Sequence, residues 1–135
     1  MDSNILSALQ TATTAAVAVS SIPTLPIKYV GLTFVPPNNQ RYLECVFLPS
    51  NILNGYWGQS RVYRGAYRLL LHWGIDGGGP YVPLDHLQSI ANYFSKSRVL
   101  ASGVRILNEA NIGGPVEVES DVIWPATVDY RLFSE

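Results

Sequence analysis

The stretch 61–73, RVYRGAYRLLLHW, constrains the fold more than any other part of the chain. Its odd positions carry Tyr63, Tyr67, Leu69, Leu71 and Trp73, while Arg64, Arg68 and His72 fall on even positions. Alternate side chains of an extended strand point to opposite faces, so this segment predicts a long β-strand with one core face and one polar face. Such a strand needs neighbours along its edges and a layer over its apolar face. Residues 41–48 supply a neighbour: Leu43, Cys45 and Phe47 share one face, and Tyr42, Glu44, Val46 and Leu48 share the other. Only Glu44 on that second face is charged, which predicts that both faces are at least partly covered.

Two helical segments can supply the layer. Residues 3–20 put Ile5, Leu9, Ala12, Ala16 and Val19 on one helical face. Ser3 suits the N-cap, Asp2 suits the positive end of the dipole, and Pro23 and Pro26 end the helix. Its Thr and Val residues lower intrinsic propensity, so packing has to hold it. A second helix is predicted after the glycine-rich stretch 74–80, with Pro83 in its first turn and Asp85 near its N-terminus. Leu84, Leu87, Ile90, Ala91 and Phe94 form its buried stripe, and Lys96 and Arg98 lie near its C-terminal end. Further strands are predicted at 27–34, about 103–108, 115–119 and 126–133. In the last, Val128, Tyr130 and Leu132 alternate with Asp129 and Arg131. Residues 35–39 read as a stiff turn, and 50–60 as a loop or extended hairpin tip with the turn signal Asn54-Gly55. The order α-β-β-β-α-β-β-β predicts an α+β fold, a mainly antiparallel sheet with two helices packed on it, as a single domain over 1–135.

Composition narrows the function classes. The 135 residues are 47% hydrophobic and 14% charged; an average domain has about 25% charged residues, or about 34 at this length. Here there are nine basic and ten acidic residues. The deficit predicts either a surface largely covered by partners or one that is unusually polar-neutral. A net charge of −1 and a pI near 6.1 argue against a free-standing nucleic-acid binder with a basic face. Cys45 is the single cysteine and permits no internal disulfide. Residues 8–22, ALQTATTAAVAVSSI, look like a signal-peptide core, but no Lys or Arg precedes Lys28 and no apolar run is long enough to span a bilayer. The chain therefore reads as cytosolic when made, with no membrane partner.

Sites for chemistry are sparse. His72 and His86 lie on different elements, Cys45 is alone mid-strand on an apolar face, and no Cys/His spacing resembles a zinc site. The 74–80 segment, GIDGGGP, matches neither dinucleotide nor P-loop spacing and reads as a strand-to-helix connection. No catalytic residue, metal or cofactor is expected, and a small enzyme using Asp76 and His86 ranks last among the readings. The informative residues are of interface type. Arg61, Arg64 and Arg68 cluster on one strand, and Glu117, Glu119, Asp121 and Asp129 gather near the C-terminus. They form either cross-strand ion pairs or complementary faces of neighbouring subunits. Tyr56 and Trp57, beside Gln59 in a Gly-flanked loop, and Trp124 before Pro125 either fold back on the domain or anchor a partner.

Four stretches together resemble a known family. They are Leu6-Ser7-Ala8-Leu9 leading to Ile22-Pro23-Thr24-Leu25-Pro26; Arg41-Tyr42-Leu43-Glu44-Cys45-Val46-Phe47-Leu48-Pro49; Tyr63-Arg64-Gly65-Ala66-Tyr67-Arg68-Leu69; and the helix running from Leu87 to Phe94. In this order they resemble the phage tail terminator family of long-tailed bacteriophages, of the minor tail protein U type. The resemblance implies an α+β subunit of a homo-hexameric ring at the tail–neck junction of the virion, assembled in the host cytoplasm. Such a ring caps the tail tube protein, stops its polymerisation and presents its other face to a head-completion or neck protein, with DNA only passing through. Another neck or head–tail connector protein of similar layout is the alternative.

Overall fold

The computed structural model describes residues 2–37, 41–54, 61–74, 81–118 and 121–134. Helix α1 spans Asp2–Ala18 and α2 spans Tyr81–Ala91. The strands are β1 (Ile27–Lys28), β2 (Tyr42–Asn54), β3 (Arg61–Gly74), β4 (Arg105–Ile106), β5 (Asn111–Ile112), β6 (Val116–Val118) and β7 (Asp121–Ser134). This is an α+β fold, with a seven-stranded sheet ordered β1-β2-β3-β7-β4 and with β5 and β6 also on β7. Among the described strands only β1–β2 is parallel. The element order is the expected one with one additional two-residue strand, β5.

The long strands follow the alternation. Tyr63, Tyr67, Leu69, Leu71 and Trp73 of β3 are buried, as are Leu43 and Cys45 of β2 and Trp124, Ala126, Val128, Tyr130 and Leu132 of β7. Helix α1 lays Ile5, Ala8, Leu9, Ala12, Ala16 and Val17 on them, α2 adds Leu87 and Ile90, and Phe94 follows just past its end. Both helices therefore cover one face of the sheet. Each fully buried Leu or Ile contributes on the order of 1.5–3 kcal/mol relative to exposure. Thr13 is fully buried in this layer and needs partners there. Its hydroxyl donates to the Leu9 carbonyl at 2.8 Å, so the Tyr67 hydroxyl, also at 2.8 Å, is the donor to Thr13.

Several boundaries differ from the sequence reading. The helix begins at Asp2, so Ser3 lies inside it rather than capping it. Val19 falls past the helix end and is 73% exposed; Val17 takes the buried place. The strand expected over 27–34 stops at Lys28, because Gly31 (φ 76°) turns the chain and the Leu32 N–H bonds the Tyr29 carbonyl. Helix α2 starts two residues before Pro83, which puts Asp85 beyond its first turn. It ends at Ala91, leaving Lys96 and Arg98 beyond it.

The largest differences are in β2 and β7. Strand β2 runs on through Pro49 to Asn54, because a bulge between Leu48 and Asn51 absorbs the proline on an edge strand. Pairing resumes as Asn51↔Arg64 through Asn54↔Arg61, which bears out the extended-hairpin reading of 50–60 as far as Asn54. Strand β7 begins at Asp121, not 126, and passes through Pro125. Gly113 N–H donates to the Pro125 carbonyl at 2.9 Å, so the protonless proline nitrogen faces the gap between β5 and β6, where no ladder bond is needed.

The hairpin geometry depends on Gly65. It lies directly opposite Tyr130, whose ring crosses over it. A Cβ at position 65 would lie 2.8 Å from Tyr130 Cζ and nearer still to its hydroxyl. That hydroxyl donates to the Leu48 carbonyl at 3.0 Å, tying β7 to β2 across the glycine, next to the bulge.

Candidate functional site: the uncovered face of the sheet

Among the described residues no helix is laid on the second face of the same strands. Its rows are read from the register. Tyr42, His72 and Ile123 lie side by side, then Glu44, Leu70 and Pro125, then Val46, Arg68 and Thr127, then Leu48, Ala66 and Asp129, and last Arg64 and Arg131. Leu48 is 42% exposed, Arg64 and Arg68 are exposed, and most of the others are half-buried. An open groove of about 440 Å³ crosses the far half of this face, lined by Leu48, Arg64, Gly65, Ala66, Leu107, Asn108 and Asp129. Apolar floor and charged rim together are the chemistry of a protein-contact surface.

At the groove's end, three arginines line up across three strands: Arg64 opposite Arg131, and Arg131 opposite Arg105. Like charges placed directly opposite one another in a sheet are unfavourable. With exposed Arg68 two rows away, across the row that holds Asp129, this half of the face carries four arginines and one aspartate in a chain of net charge −1. Arg105 and Arg131 were not singled out by sequence reasoning. Their alignment with Arg64 depends on register across β3, β7 and β4, which no local pattern encodes.

The opposite end of this face is closed by an aromatic and ionic cluster. His72 was expected as an ordinary polar-face residue; it is on that face but only 7% exposed. The Tyr42 ring stacks on it at 4.2 Å, and Phe34 packs on Tyr42 at 4.9 Å. His72 Nε2–H donates to Glu44 Oε1 at 2.8 Å, while Lys28 Nζ is 3.7 Å from Glu44 Oε2. Burial, and then the nearby Glu44 and Asp121 carboxylates, push the Tyr42 hydroxyl pKa up. Cys45 lies on the other, helix-covered face, where burial raises its thiol to about 11 and keeps it protonated at neutral pH. Burial likewise pushes the Tyr67 hydroxyl up. Among the described residues, no group of three His, Cys, Asp or Glu side chains is placed to hold a metal ion.

The expected interface residues divide into three groups. Arg64 and Arg68 are exposed on the uncovered face, and Glu117 is exposed on β6 at the sheet's far edge. Asp121 is half-buried at the start of β7, with one carboxylate oxygen buried and unpartnered among the described residues. Trp124 is 8% exposed and packs in the core, which is the fold-back reading of that residue. Arg61 pairs through its backbone with Asn54 and Ser134. Tyr56, Trp57, Gln59 and Glu119 lie outside the described residues, as does the 75–80 part of the glycine-rich segment. The structure brings one acid of that group to the arginines: Asp129 on β7 stands opposite Ala66, in the row between Arg64 and Arg68, whereas Glu117 on β6 is separated from β3 by β7.

Among the described residues, no helix is long and apolar enough to cross a membrane. No curated protein matches the sequence. One solved structure, known only by a sequence identifier, superposes with a TM-score of 0.78 at 23% identity, over 97% of this chain and 94% of its own, and so shares the fold. The profile of the phage tail terminator protein family matches residues 4–130. That match takes in both helices, the whole β2–β3 hairpin and all but the last residues of β7, and the chain belongs to the phage tail terminator protein family.

Proposed function

We propose that this chain forms a ring, hexameric by the family resemblance, that caps the tail tube, stops its polymerisation and joins the finished tail to the head. Membership of the family makes it a structural protein of the phage tail. The observation that carries the finer reading is the uncovered sheet face. Val46, Leu48, Ala66 and Leu70 share it with the aligned arginines, and none of the described helices covers it. A face of that kind is stable in water but becomes favourable when another protein surface completes it. In this reading the basic half meets acidic groups of a neighbouring subunit or of the tube, Glu117 being one such group on the far edge of each copy. Tyr56, Trp57 and Gln59 at the hairpin tip contact the tube or neck protein, and DNA passes without sequence-reading contacts.

The test is tail length. Lysates of phage lacking this protein should yield tails of heterogeneous, overlong tube, and adding the purified protein during assembly should restore one length. Tails of uniform length in its absence would exclude the termination role. Labelled protein on tail-less heads would point instead to a head-side connector.

A further inference from the structure

We propose that neighbouring subunits meet head to tail, the acidic corner of one copy, centred on Glu117 of β6, seating on the arginine row of the next. This deepens the ring reading and rests on it. The sequence already sorts its charges. Residues 45–75 contain Arg61, Arg64 and Arg68 and neither Asp nor Glu, whereas 106–130 contain Glu109, Glu117, Glu119, Asp121 and Asp129 and neither Lys nor Arg. The fold sorts them further, because register sets Arg105 and Arg131, from outside both segments, in one row with Arg64.

The two kinds of charge stand at opposite ends of β7. Arg131 lies in the arginine row at one end; Asp121 opens the strand at the other, with Glu117 beside it on β6, opposite Val122. Ten positions separate Asp121 from Arg131, about 33 Å along an extended strand, so side chains at the two ends do not meet within one chain. Each end lacks what the other holds. Arg64 and Arg105 are exposed and, among the described residues, neither makes an ion pair. Asp129, one row in, takes a long 3.5 Å contact from Asn108 instead. Glu117 is exposed and likewise unpaired among the described residues, and Asp121 keeps one buried carboxylate oxygen without a partner there.

Shape agrees with charge. Arg64 stands on the rim of the 440 Å³ groove, whose apolar lining is Leu48, Ala66 and Leu107. Among the described residues β6 pairs only with β7, and Val116, next to Glu117, is 52% exposed. Alternate side chains of an extended segment diverge. The 116–118 segment of a neighbour, laid in the groove, therefore sets Glu117 toward Arg64 and Arg105 and Val116 toward Leu48 and Leu107. A nucleic-acid phosphate fits less well, because Asp129 lines the groove and repels it, and the apolar lining offers it nothing. A carboxylate flanked by valines uses both parts of the site. Two different patches at opposite ends of one chain make a heterologous contact, and such a contact repeated by rotation closes into a ring. The complementary segment is on this chain itself, so the occupant we name is a second copy.

The test reverses one charge at each end, in the full chain assembled on tail tubes. Glu117→Arg alone and Arg64→Glu alone should each lower ring assembly about tenfold. Neither should lower the monomer's melting temperature, since both positions are exposed. An equimolar mixture of the two variants should recover most of the parent's assembly, because copies alternating around an even-membered ring place opposite charges at every contact. The Glu117→Arg, Arg64→Glu double variant should recover as well. Two single defects that neither the mixture nor the double variant repairs, or two single variants that assemble like their parent, would overturn the pairing, while parental rings seen by electron microscopy leave the ring standing. A defect in Arg64→Glu with Glu117→Arg at full assembly would assign the arginine row to the tube or to nucleic acid and overturn the second copy as occupant. If the unaltered protein forms no ring on tubes, the ring reading fails and the head-to-tail contact falls with it.

Discussion

The two faces of one sheet carry opposite instructions in the same strands. On the helix-covered face, β3 contributes Tyr67, Leu69 and Leu71, all at 0% exposure, and the buried hydroxyls there are paired: Thr13 and Tyr67 bond each other and Thr13 bonds Leu9. On the other face, the alternate residues Arg64 and Arg68 are exposed, and Arg64 stands opposite another arginine. Like charges directly opposite one another weaken a sheet unless neighbouring groups offset them. The difference teaches that the covered face specifies the fold, while the uncovered one leaves two arginines of β3 exposed.

The comparison can be broken by substitution. Its largest effect is expected on the covered face: Leu71→Ala removes a fully buried side chain and should cost about 2–5 kcal/mol in denaturant unfolding. A cost under 1 kcal/mol would mean that this face is not a close-packed core. Next comes pH. Burial holds the Cys45 thiol at about 11 against an ordinary 9.0, so the folded chain keeps a proton that the unfolded chain has released. Stability from this site is complete below pH 9 and is lost as pH rises from there through 11. The shift corresponds to about 2–3 kcal/mol. Urea midpoints measured from pH 7 to 11 should therefore decline, and Cys45→Ala should flatten that decline.

Gly65→Ala tests the joint between the two faces. The new methyl would occupy the space where the Tyr130 ring crosses the strand, forcing the ring off the Leu48 carbonyl. The expected loss is about 1–3 kcal/mol, read by thermal melting. Adding Tyr130→Phe should recover part of it, since the hydroxyl is the nearest obstacle. Independent, additive effects would show that the ring and the glycine do not share that space.

Much of the covered face was legible in sequence because its signal is local. Alternation in 61–73 named the five buried hydrophobic residues of β3 but not the burial of His72, and helical spacing named Ile5, Leu9, Ala12 and Ala16. Breakers misled where tertiary pairing overrode them. Pro49 and Pro125 read as strand ends, yet both lie within strands, one at a bulge on the edge and one facing a gap between two short neighbours. The short strands β4, β5 and β6 exist only because β7 offers them partners, so their own residues carried little signal. The candidate site was half legible. Arg64 and Arg68 stood out by spacing, whereas Arg105 and Arg131 joined them only through register across three strands, a non-local property. Trp124 looked like an anchor because aromatics near prolines in connections often are; its strand begins three residues earlier and turns it into the core.

The smallest expected effect on stability is also the most telling one. Arg68→Ala removes an exposed side chain on the uncovered face, between Val46 and Thr127 in the register, and should change the unfolding free energy by no more than about 0.5 kcal/mol. Arg64→Ala should be neutral or slightly stabilising, because it relieves the opposition to Arg131. If this face is composed for partners, both variants should nonetheless assemble poorly, and the defect should deepen as ionic strength rises, since salt screens whatever charge pairing remains. Arg68→Lys would separate charge from shape: rescue means that a positive point charge suffices, while failure means that the planar guanidinium is required for a carboxylate partner. A clear loss of monomer stability with assembly untouched would reverse the assignment and make the arginine row part of the fold.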